Sequence, residues 1–93
     1  MTHLTVVRSK DDDTAYTVDV RDDDGSSTDH LVTVSDAEWN RYGGGYETHE
    51  ELVEASFAFL LQREPKASIL RSFGLGVIAQ YFPDYASKFS ERR

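Results

Sequence analysis

The sequence predicts an α+β domain: an N-terminal three-stranded antiparallel meander followed by three or four helices. Two observations carry this. Over residues 1–34, apolar side chains recur at every second position between short turns bearing Asp and Gly. Beyond residue 35, the apolar spacing lengthens to three and four. Two Ser/Thr-x-x-Glu signatures, Ser35–Glu38 and Thr48–Glu51, mark helix starts there. A chain of 93 residues suits one domain. It divides into the meander (1–34), a helical part (35–85) and a polar tail (86–93) expected to fray.

Residues 3–8 set Leu4 and Val6 against Thr5 and Val7, the pattern of a half-buried strand. After the turn at residues 10–14, Tyr16, Val18 and Val20 alternate with Thr17, Asp19 and Arg21 as a second strand. The turn at 22–27 supplies Gly25 for a positive φ. His30, Val32 and Val34 then continue the alternation as a third strand. Connections this short favour antiparallel pairing, because a parallel crossover needs about a dozen residues or more.

Ser35 opens a short helix over 36–42 that buries Trp39 and Tyr42, and Gly43–Gly45 ends it. Thr48 opens the main helix over 49–63, whose apolar residues cover more than one stripe. Such a helix is buried on two sides or lies at an interface. Pro65 stops it, residues 66–73 read as another helix capped by Gly74, and 76–82 as a last one closed by Pro83.

The net charge of −7 is uneven. Residues 1–62 hold fourteen acids and four bases, whereas 63–93 hold three acids and six bases. The overall field repels polyanions, so nucleic-acid binding would fall to the C-terminal third, through Arg63, Lys66 and Arg71. Cysteine is absent, which excludes thiolate and disulfide chemistry and fits a cytoplasmic setting. No signal-like segment opens the chain. The longest apolar run, Phe57–Leu61, is far too short to span a bilayer.

Motifs of catalysis and ligation are incomplete, so no catalytic, cofactor or metal residue is assigned. Aligning Gly25 with the glycine of a calcium-binding EF-hand loop puts Val20 and Leu31 where carboxylates are needed. His49-Glu50 begins like a zinc-protease helix, but Val53 stands where the second histidine belongs. His3 and His30 on neighbouring strands could at most suggest a surface zinc site. Gly43–Gly45 lacks the lysine of a phosphate loop and is followed by Glu47, Glu50 and Glu51. A small enzyme of unrecognised type would need a pocket lined by groups such as His30, Tyr16 or glutamates.

Residues 52–85 are the most apolar stretch and contain four of the five phenylalanines. The pieces Glu51-Leu52, Ser56-Phe57, Phe59-Leu60-Leu61, Arg63-Glu64-Pro65, Ser68-Ile69-Leu70, Phe73, Leu75, Val77-Ile78 and Tyr81-Phe82-Pro83 resemble a family of small, uncharacterised bacterial proteins. That resemblance covers the C-terminal half. It implies a strand-rich N-terminal half and no particular activity.

The apolar content of this half exceeds what a three-stranded sheet covers. An exposed remainder would form a patch for a protein partner or a second copy, at Phe57, Phe59, Leu61, Tyr81 and Phe82. The reading is therefore a small non-enzymatic interaction or regulatory protein, and its acidic and basic parts would complement each other across a homodimer. A monomer whose helices simply fold over the sheet accounts for the same composition.

Overall fold

The structure is a computed structural model and describes residues 2–90. Strands β1 (His3–Arg8), β2 (Ala15–Arg21) and β3 (Ser27–Thr33) form the expected antiparallel meander. The register sets Leu4 opposite Val20, Val6 opposite Val18, and Val18 opposite His30. Alternate residues of a strand face opposite ways, so one face gathers Tyr16, Val18, Val20 and Val32, all fully buried. The other face, with Thr5, Thr17, Asp19 and Asp29, is the wet side. The β2–β3 hairpin turns at Gly25, whose φ of 88° is the left-handed geometry that glycine adopts without strain.

A fourth strand corrects the helix expected at 66–73. Only Lys66–Ser68 makes a turn of 3-10 helix, and Ser72–Gly74 forms β4, parallel to β3. The sheet is thus mixed, in the order β1-β2-β3-β4. Gly74 lies in this strand and caps no helix. The physical reason is β3's far edge, whose backbone groups need partners. Leu31 N–H donates to Arg71 C=O at 2.7 Å, and Leu75 N–H to Thr33 C=O at 2.9 Å.

Helix α1 (Asp36–Tyr42) starts with the complete capping box read from sequence: Ser35 Oγ accepts from Glu38 N–H, and Glu38 accepts from Ser35 N–H. Helix α2 (His49–Leu61) is capped by Thr48 alone, because Glu51 reaches past it to Glu47 N–H. α2 packs against β1 and β2 and buries Leu52, Val53, Ser56, Phe57, Phe59 and Leu60. Full burial of such an apolar side chain contributes about 1.5–3 kcal/mol each. Helix α3 (Val77–Tyr81) follows as expected.

The tail expected to fray from residue 86 is helical within the described residues. Pro83 does not only end α3. It opens α4 (Pro83–Ser90), where its missing N–H costs nothing. Tyr85 and Phe89, one turn apart, are both buried. Their rings stack at 4.3 Å and meet Phe59 edge-on at 5.3 and 5.9 Å. α2 is therefore covered by the sheet on one side and by these aromatics on another, which accounts for its wide apolar surface. Residues 91–93 of the expected tail lie outside the described residues.

A buried polar chain ties α4 to α2. Ser56 Oγ donates to Leu52 C=O at 2.8 Å, so the 2.8 Å contact between Tyr85 and Ser56 has the phenol as donor. Burial pushes the Tyr85 phenol well above its usual range. Arg63 adds a second tie: its guanidinium lies 3.7 Å from the Phe59 ring centre and pairs with Asp84 in the first turn of α4.

Candidate functional site

Among the described residues, four large apolar side chains are exposed, and they fall into two pairs. Val7 and Leu31 lie on the wet sheet face in one cross-strand row, separated by Thr17. Leu70 (46 % exposed) and Tyr81 (66 %) instead line an apolar cleft of about 400 Å³. Leu60 and Ile78 are buried beneath it, Phe73, Val77 and Phe82 are half-buried, and Glu64 and Ser68 supply polar lining.

Each wall has a local cause. The end of α2 brings Leu60 and Glu64 to the cleft, since Glu64 N–H still bonds back to Leu60 C=O. The stretch carrying Leu70 is fixed by His30. Its Nδ1 lies 2.8 Å from Leu70 C=O, and a carbonyl can only accept, so Nδ1 carries the proton. In the neutral ring, Nε2 then accepts from Thr28 Oγ1 at 2.8 Å. α3, which carries Tyr81, is held at its start by Glu38. One carboxylate oxygen accepts from Ser35 N–H and the other from Gly76 N–H at 2.8 Å. A Cβ at position 76 would come within 3.0 Å of that second oxygen.

The residues singled out from sequence separate on the structure. Phe57 and Phe59 belong to the core, a correction to their expected place at an interface: α2 turns them toward the sheet and α4. Leu61 and Phe82 are half-buried, and Tyr81 is exposed. Arg63 and Lys66 are paired with acids. Lys66 Nζ reaches Asp22 and Ser26 Oγ at the β2–β3 turn, and its hydrogen bond holds the Asp22 carboxyl below the usual range. Arg71 is exposed, and its side chain has no ion-pair partner among the described residues.

The metal candidates do not converge. His3 is exposed on the wet face, His30 is buried on the opposite face, and β2 runs between their strands. Asp12 and Asp24 close local turns by accepting from Thr14 and Ser26, and these hydrogen bonds lower both carboxyls. No group of three potential ligands assembles among the described residues. His49 packs on Trp39 at 4.5 Å, and its Nδ1 lies 3.0 Å from Tyr16 Oη.

Chemically, the cleft offers apolar surface, one carboxylate and two hydroxyls, with no histidine or cation in its lining. That set suits recognition of an apolar group with a donor or positive charge beside it. Of the cleft lining, the sequence singles out only Tyr81 and Phe82, and Leu70 is the exposed apolar member it misses. Ile69, Leu70 and Phe73 between Pro65 and Gly74 suggest a helix over 66–73, the wrong element, and with it the wrong facing for that side chain. No protein-family model, curated protein or solved structure matches the chain. Among the described residues, no helix is long and apolar enough to cross a membrane.

Proposed function

We propose that the chain is a small protein-interaction module working through the cleft between Leu70 and Tyr81. The observation that carries this is the coincidence of exposure with concavity: Leu70 and Tyr81, the two exposed large apolar residues described in the helical part, line the same apolar hollow. An aromatic side chain left in water beside an apolar pocket is the composition of an interface centre, where tyrosine is enriched. The resemblance to the family of small bacterial proteins runs through the same segment and adds no activity to this reading.

A nucleic-acid role has less support. Two of its three basic residues, Arg63 and Lys66, are tied to Asp84 and Asp22, so a phosphate would have to displace a carboxylate from each. The test is recovery of partners from source cells with the wild-type chain and with the L70E/Y81E double variant. A protein, or further copies of this chain, retained by the wild type and lost with the variant is the expected result. Equal recovery by both, or recovery by neither, overturns the proposal.

A further inference from the structure

We infer that the cleft is the seat of a two-fold self-association, in which each copy sets its Tyr81 into the other's cleft. This rests on the reading above and names the partner: a second copy of this chain.

The shape of the patch favours a second copy. A two-fold interface joins a patch to itself, so the patch must carry both a projection and the hollow that receives it. Here the hollow of about 400 Å³ and the projecting Tyr81 and Leu70 share one surface. A flat apolar patch, such as the Val7 and Leu31 row, has no such hollow to fill.

Charge favours the same partner. Glu64 lines the cleft and Arg71 follows Leu70 in the chain. Among the described residues neither side chain has an ion-pair partner, although the nearby Arg63 and Lys66 both have one. One acid in the lining and one base next to the lining residue Leu70 in the chain are thus without an ion-pair partner among the described residues. Two-fold pairing would let Glu64 of each copy meet Arg71 of the other, twice. The net charge of −7 opposes the approach of two copies. At physiological salt, repulsion from more distant acids is screened beyond about 8 Å.

The test is sedimentation equilibrium of the purified full chain over micromolar to millimolar concentrations, for wild type, Y81E, L70E, E64R, R71E and E64R/R71E. Far-UV circular dichroism checks each fold, and Tyr81 is exposed enough that its substitution leaves the core intact. The expected result is a reversible dimer weakened roughly thirtyfold or more by Y81E or L70E. Each single charge reversal weakens it about tenfold, and the double reversal restores it. A dimer indifferent to Y81E and L70E overturns the inference, as does a double reversal that fails to restore pairing. A monomer throughout also overturns it. Partner recovery then separates the two readings: loss of a different protein with L70E/Y81E leaves the interaction module standing, and no recovery removes both.

Discussion

Replacing Ser56 tests whether the C-terminal helix is truly docked, because Ser56 is the middle link between Tyr85 and Leu52. Both side chains are fully buried. In Ser56→Ala the Tyr85 hydroxyl loses its acceptor in a site closed to water. Leaving a buried donor unsatisfied costs about 1–3 kcal/mol. Tyr85→Phe removes the donor, but Ser56 keeps its 2.8 Å bond to Leu52 C=O. Its cost is the net value of one hydrogen bond, about 0.5–1.5 kcal/mol. In the double variant no polar atom is stranded, so it is less destabilised than the two single costs added together. Urea denaturation followed by circular dichroism resolves these differences, and 1 kcal/mol shifts Tm by roughly 4–8 °C in a chain of this size. Strict additivity, or a Ser56→Ala variant as stable as wild type, would refute the buried polar chain and with it the docking of α4.

Other outcomes follow from single contacts. Gly43→Ala would set a Cβ 2.4 Å from Trp39 Cε3 and 2.7 Å from the Trp39 carbonyl oxygen, so it destabilises by about 1–3 kcal/mol even if the indole swings away; thermal melting and a shifted tryptophan emission read this out. Glu38→Ala removes the acceptor of both Ser35 N–H and Gly76 N–H, costing about 1–2 kcal/mol from the cap alone. Hydrogen exchange should rise at Gly76 and through α3 in that variant, and unchanged protection there would count against the tether. Acid pH weakens the fold through Asp12, Asp22 and Asp24, whose folded carboxyls are held low by hydrogen bonds from Thr14, Lys66 and Ser26. Their stabilisation is complete above the unfolded value of about 3.9 and is lost as pH falls through the lower folded values. Lys66→Met should flatten that acid limb in denaturation midpoints between about pH 5 and about pH 2, and an unaltered limb would contradict the Lys66–Asp22 pairing.

The meander and both helix starts were legible because their signals are local. Alternation at Tyr16, Val18 and Val20, and the Ser35–Glu38 box, need no knowledge of distant partners. β4 was not legible for the opposite reason. It is three residues long, and its partner residues at 31–33 lie about forty positions away, while Ile69, Leu70 and Phe73 carry a helix-like period. The missed α4 is different, since its marks were present in the sequence. Pro83 suits a first turn, Asp84 and Lys88 suit the two ends of a helix dipole, and Tyr85 and Phe89 are one turn apart. Of the cleft, the stretch 52–85 supplies every lining residue. Which of them face water could not be read from a segment apolar nearly all round. Phe57 and Phe59 are hidden only because the sheet and α4 enclose α2 from two directions.

The interaction surface itself is tested most directly by photo-crosslinking in cells, with a photoreactive phenylalanine analogue placed at position 81 and, as a control, at position 7. Val7 is also strongly exposed, at 57 %, but lies on the sheet face away from the cleft. The cleft account predicts a discrete protein adduct from position 81 and none from position 7. No adduct from 81, or equal adducts from both positions, would contradict it.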